Sequence, residues 1–243
     1  MRKLLFIPFL IGIVLSYSSC NFGGGGNVVG LPPTYAVVDY NPNLGGTIVR
    51  TEYGYYSVPT LYDVATDDCL FMRFSIDYDN QPYVPNYYIA SDIEKISVNR
   101  SYLEMNPLEL EDYTLPITRF DMFSLPIYDG RVFFEVETKG KTSNFRLVYD
   151  TKEEDEIIGV KNLYLLARSE SSPGSSQVVT QHAFDIRNLF DSFSRDTTLI
   201  QSGVTYDLKY IKTNIKYISN MVDGEPKYES LTNPVNIYIF KNQ

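Results

Sequence analysis

The 243 residues carry 30 acidic side chains against 21 basic ones, a formal charge of −9, which argues against a nucleic-acid partner and against a basic membrane-docking patch. Twenty-one Tyr and 14 Phe with no Trp make the chain too apolar and aromatic to be disordered, and five Ala are too few for a helical protein. The length allows one large or two ordinary domains with real cores, and the residue mixture fits pleated, half-buried sheets.

Arg2 and Lys3 open the chain as a short basic region, followed by an apolar run from Leu4 to Leu15. Ser18 and Ser19 then precede Cys20. This is the layout of a lipoprotein signal peptide over 1–19: export on a short apolar segment, then acylation of a cysteine that becomes the new N-terminus. An ordinary cleaved leader and a retained transmembrane helix are the alternatives. The run is short of the ~18–20 residues a span requires, and Pro8 and Gly12 interrupt it. Cys20 is therefore the expected lipid-attachment site. Residues 20–34, with four consecutive glycines and a proline pair, read as a tether with a reach of ~20 Å for a Gly-rich coil.

The first folded block is expected at 35–106. Leu70, Met72, Phe74, Ile76 and Tyr78 alternate with Arg73, Ser75 and Asp77, the period of a sheet with one buried side. Further strands are expected over Tyr35–Tyr40, Thr47–Val58 and Tyr87–Val98, with turns at Asp39–Gly46 and Asp79–Asn86. Short strands at this density predict a small OB-like barrel. Cys69 starts the strongest strand and reads as a buried, inert thiol once Cys20 is acylated. Residues 107–125 carry Pro107 and Pro116 among carboxylates and read as a connector.

The second block, 126–243, predicts about seven strands and hence an immunoglobulin-like β-sandwich. They are Arg131–Thr138, Ser143–Tyr149, Ile158–Arg168, Val178–Phe184, Val204–Ile211, Ile215–Ser219 and Val235–Phe240. One helix is expected at Ile186–Phe193 with Asp185 as its N-cap. The fold class is thus all-β, barrel followed by sandwich.

In layout and in several loose motifs the chain resembles the NigD-like lipoproteins of Bacteroidota. The segments that carry the resemblance are CLFMRFSIDY (69–78), DGRVFF (129–134), FRLVY (145–149), LYLLAR (163–168) and HAFDIR (182–187). The resemblance implies an OB-like domain, a β-sandwich and no established activity, and it carries over no functional residues.

Candidate chemistry is sparse. Glu135 and Glu137 lie two apart on one strand, ~7 Å from each other and within the range of glycosidase pairs. If Val132, Phe134 and Val136 face the core, however, both carboxylates face solvent. Asp77, Asp79 and Asn80 resemble a calcium loop, but Gln81 and Pro82 stand where a ligand and the glycine belong. The acidic run Glu153–Glu156 reads as a solvated turn. His182 is the only histidine. A triad needs its base held by a partner, which a lone histidine at a strand end does not announce, and one His with one free Cys will not close a zinc site. No cofactor is called for. Tyr53, Tyr55, Tyr56, Tyr83, Tyr87 and Tyr88 are the candidate ligand contacts, since tyrosine offers a flat apolar face with a hydroxyl; core filling is the competing role.

The reading is a non-enzymatic, membrane-tethered binding or interaction lipoprotein of the cell envelope. Its lipid anchor would hold it to the outer membrane on the periplasmic face, because Asn21-Phe22-Gly23 lacks an acidic surface-export cluster. A protein or glycan ligand would be engaged at the domain junction or through tyrosines. The alternatives are a structural or accessory subunit of an envelope or pilus-like assembly, and a carboxylate-dependent hydrolase.

Overall fold

The computed structural model describes residues 27–42, 46–81, 87–110, 112–139, 142–169, 176–201 and 204–241. Cys20 and Tyr83 lie outside them. The described chain is all-β, with one short helix and no helix long and apolar enough to cross a membrane.

The first five strands are β1 (Val28–Asn41), β2 (Gly46–Thr51), β3 (Gly54–Ser57), β4 (Cys69–Asp77) and β5 (Tyr88–Tyr102). Strand β1 pairs with both β2 and β4, β2 with β3, and β4 with β5, all antiparallel. A short parallel pairing of β3 with β5 closes them into a ring. The alternation that marked β4 in the sequence fills this ring: Leu70, Met72, Phe74 and Ile76 point inward onto Ala36, Val38, Val49, Tyr56 and Ala90. Tyr78, expected on the same face, lies just beyond the strand and is 38% exposed.

Strand β1 begins at Val28, well inside the segment expected to be tether. Pro32 and Pro33 are tolerated because the β1–β4 register shifts between Leu31 and Thr34, so neither proline has to donate to the ladder.

The remaining elements are β6 (Glu104–Asn106), β7 (Ile117–Phe123), β8 (Arg131–Lys139), β9 (Thr142–Asp150), β10 (Val160–Ser169), β11 (Gln177–Asp185), α1 (Arg187–Phe193), β12 (Arg195–Gln201), β13 (Val204–Val222), β14 (Glu225–Ser230) and β15 (Val235–Phe240). One layer runs β11-β8-β7; the other runs β12-β13-β10-β9-β6, with β14 and β15 also on β13. The layers bury a shared core in which Phe120, Phe134 and Phe184 of the first meet Leu147, Leu163, Leu165 and Ile215 of the second.

Three further sequence expectations change. Val204–Ile211 and Ile215–Ser219 are one strand, because Lys212–Asn214 pairs with Val160–Asn162 of β10 instead of turning. The 107–125 segment is more than a connector. Leu108, Leu110 and Tyr113 pack on the outer face of the second layer, and Ile117–Phe123 is β7, with Pro116 just before it. Backbone pairing also does not stop at that segment: β5 runs beyond the ring, and its Asn99–Tyr102 lies parallel to His182–Asp185 of β11.

Candidate functional site

The ring meets the two-layer stack through the outer face of β8. Alternation sends Val132, Phe134 and Val136 into the stack core and Phe133 the other way, onto the ring. There Phe133 stacks on Tyr35 of β1, centroids 4.6 Å apart and planes 22° from parallel. Tyr128 crosses Phe133 edge-on at 5.0 Å, and Val37, Cys69, Val98 and Ala183 complete the contact.

Around this apolar seam runs a chain of charges. Arg131, 1% exposed, donates to the carboxylate of Asp67 in the loop before β4, and to the carbonyls of Asp129 (3.0 Å) and Tyr128 (3.4 Å). Burial, then repulsion from Arg187, draws the Arg131 guanidinium below its ordinary pKa. Arg187 of α1 grips Asp185 through its Nε at 3.0 and 3.1 Å and approaches Asp67 at 3.6 Å. Burial alone would push the Asp185 carboxyl up, but these hydrogen bonds win and hold it below the usual carboxylate range. Arg50, 2% exposed, lies 3.6 Å from Asp39 and 3.9 Å from Asp129. The helix cap falls at Ile186, one residue after the expected Asp185; the Asp185 carboxylate instead accepts the Arg187 backbone N–H at 3.1 Å.

Asp129-Gly130 is the pivot. Both residues have left-handed backbone, φ 52° and 75°. Gly130 donates to the Tyr238 carbonyl (2.8 Å) and accepts from Ile186 (3.0 Å), while the Asp129 carboxylate takes the Phe240 N–H (2.9 Å). A Cβ at Gly130 would stand 2.6 Å from Arg187 Cγ and 2.7 Å from Ile239 Cγ2, so only glycine fits there.

Beside this pivot a pocket of about 50 Å³ opens between ring and stack. Its walls are Tyr55 from β3, Pro126 and Ile127 from a 3-10 turn, Leu199 from β12, Tyr206 from β13 and Phe240 from β15. Tyr206 and Phe240 face each other at 6.2 Å, and burial pushes the Tyr55 hydroxyl pKa upward. The pocket is mostly apolar, and Tyr55 and Tyr206 bring the side-chain hydroxyls among its walls.

The tyrosines singled out from sequence divide by strand period. Tyr55 faces outward into the pocket and meets Tyr87 edge-on at 6.2 Å; the Tyr87 hydroxyl accepts from Asn41 at 3.0 Å. Tyr56 turns inward, fills the ring against Phe74 at 4.8 Å and donates to the Tyr53 carbonyl. Tyr53 and Tyr88 are 41% and 48% exposed at one mouth of the ring. Leu199, Tyr206 and Phe240 were missed, because nothing local in β12, β13 or β15 places them opposite β3.

The other candidates find ordinary employment. Glu135 and Glu137 are half-buried on the outer face of β8, sharing a shallow recess with Arg119 and Asp121. Asp77 caps its own turn, accepting from the Asp79 and Asn80 backbone and the Asn80 side chain. Cys69 is buried and its thiol is pushed up to about 12 by burial. His182 is buried against Phe184, 3.1 Å from the Ser101 hydroxyl, and burial lowers its pKa to about 4. The Glu153–Glu156 run is not merely solvated. Glu153 takes Tyr164 (2.9 Å) and Lys216 (2.9 Å), Asp155 pairs with Lys161 (2.7 Å), and Glu156 pairs with Lys216 (2.7 Å).

A five-strand ring joined by one continuing strand to a two-layer stack defines an all-β class of protein, and solved structures share it. An uncharacterized protein from Parabacteroides merdae aligns with TM-score 0.63 and 16% identity, over 88% of this chain and 100% of that one. A candidate lipoprotein from Bacteroides fragilis aligns with TM-score 0.54 and 13% identity, over 89% and 99%. The structural neighbours also include a NigD-like immunity protein from Bacteroides caccae, at TM-score 0.43 and 13% identity, over 85% and 93%. No protein-family model and no curated protein matches the sequence.

Proposed function

We propose that this chain is a non-enzymatic binding lipoprotein of the bacterial cell envelope, acylated at Cys20 and tethered to the periplasmic face of the outer membrane. It takes a protein or glycan ligand at the pocket between its two parts. The observation that carries the reading is the pocket itself. Aromatic walls from β3, β13 and β15, far apart in sequence, are brought together by the Asp129-Gly130 pivot and left partly open. A core position would have closed over these rings. In this reading the ring is an OB-type barrel, supported by its strand order β1-β2-β3-β5-β4 with parallel closure of β3 on β5. The stack is an immunoglobulin-like sandwich.

The test of the anchor is palmitate labelling with fractionation. Wild type should carry label and sediment with outer membranes, and Cys20→Ala should be unlabelled and soluble in the periplasm. An unlabelled wild type, or one digested by protease added to intact cells, contradicts the acylated or the periplasmic part respectively.

A second reading, an accessory subunit of an envelope assembly, is favoured by one feature. Among the described residues strand β7 pairs only with β8, which leaves its other backbone edge for a partner's strand.

A further inference from the structure

One mouth of the ring is unlike the rest of its surface. Val28 and Val29 open β1 there, paired with Asp77 and Ile76 of β4. Tyr78 and Tyr88 meet edge-on at 5.0 Å, and the Tyr56 hydroxyl, which lies near both, is held on the carbonyl of Tyr53. Val28, Val29, Tyr53, Tyr78 and Tyr88 are exposed, between 38% and 52%. An apolar rim this continuous calls for a cover. The described segments that form this rim carry charges of one sign. Glu52, Asp77 and Asp79 border the rim, and 27–30, 51–56, 76–81 and 87–90 contain no Lys or Arg.

The chain leaves the ring at this same mouth. Asn27 is clamped to the turn after β4, donating to the Asp79 carboxylate at 2.8 Å and accepting from the Tyr78 N–H at 3.1 Å. Residues 21–27 alone join it to Cys20. Fully extended they span about 25 Å, and as a Gly-rich coil about 15 Å. Resting on the acylation of Cys20 proposed above, this length holds the mouth, and not the far end of the ring, next to the bilayer.

We propose that the mouth formed by Val28, Val29, Tyr53, Tyr78 and Tyr88 is a seating surface for a zwitterionic phospholipid bilayer. Ethanolamine and choline headgroups present an ammonium outermost, which the faces of tyrosines attract and Glu52, Asp77 and Asp79 complement. Tyrosine suits headgroup depth because its ring is apolar and its hydroxyl polar. The same carboxylates repel an anionic surface, so the seat discriminates between lipid classes.

The absence of Trp makes the test direct. The chain from Cys20 to Gln243 is coupled through Cys20 to a maleimide lipid in vesicles of phosphatidylethanolamine and phosphatidylcholine. Cys69 is buried and does not compete. Coupling in vitro bypasses acylation in the cell, so failure of the anchor reading leaves this result untouched. A Tyr88→Trp reporter is compared with Tyr62→Trp, which lies at the far end of the ring between β3 and β4 and is 86% exposed. Headgroup-level brominated lipids should quench the first several-fold more strongly than the second. The difference should shrink when the phospholipid is phosphatidylglycerol, and when Tyr53→Ser and Tyr78→Ser are added. Equal quenching of both reporters overturns the proposal and leaves the mouth open to a protein or a second copy. Quenching indifferent to headgroup charge overturns its lipid selectivity.

Discussion

Arg131 of β8 reaches across the junction to Asp67, 64 residues earlier in the chain, and this pair ties the ring to the stack. Arg131 is 1% exposed, so its charge has no recourse to water if Asp67 is lost. Asp67→Asn, which tolerates the local φ of 74°, should destabilise the protein by about 3 kcal/mol. Unfolding followed separately by probes in the ring and in the stack should remain one coincident transition in wild type. Separate transitions would show that the junction does not couple them.

Gly130→Ala should cost about 2–4 kcal/mol, from a left-handed backbone and overlap with Arg187 and Ile239. Gly54→Ala is the control: it also has positive φ but open space around it, so its cost should be the smaller of the two by chemical denaturation.

His182 gives the stability a defined acid limb. Its folded pKa of about 4 lies below the ordinary value of 6.5, so between these pH values the unfolded chain binds the proton that the folded one refuses. Stability is therefore fully present above about pH 6.5 and declines as pH falls toward 4, by ~3 kcal/mol in all. His182→Gln should flatten that limb in denaturation curves taken across the window. An unchanged slope would mean that other groups produce it.

Much of the fold was legible because strand period is local. Cys69–Asp77 announces its buried face residue by residue, and Phe134 faces the core as expected. The other face of Arg131–Lys139 is not the solvated one expected, because the ring covers it: Arg131 and Phe133 are buried there and Glu135 and Glu137 are half-buried. What depends on distant partners was not legible. The Glu153–Glu156 run looks solvated until Lys216 is placed beside it. Strand β14 reads as surface, being charged and containing Pro226, and pairing with β13 is what makes it a strand. Of the site, Tyr55 could be named from its tyrosine-rich surroundings. Its opposite wall could not, because the pocket exists only where β3 meets β13 and β15.

Strand faces on β8 allow a paired comparison. Glu135→Gln with Glu137→Gln should change stability by less than ~0.5 kcal/mol, whereas Phe134→Ala, fully buried against Phe120 and Phe184, should cost ~3–5 kcal/mol. Thermal unfolding of the three proteins distinguishes them; a stable Phe134→Ala protein would contradict the core described here.

The binding role of the junction pocket is tested most directly by placing a photocrosslinking phenylalanine at Tyr55 in the living cell. The same probe at Tyr62, exposed and not among the pocket walls, serves as reference. A discrete adduct is expected at Tyr55 that is absent at Tyr62 and is lost when Tyr206→Ala or Phe240→Ala removes the opposite wall. No adduct at Tyr55, or the same adducts at both positions, would contradict it.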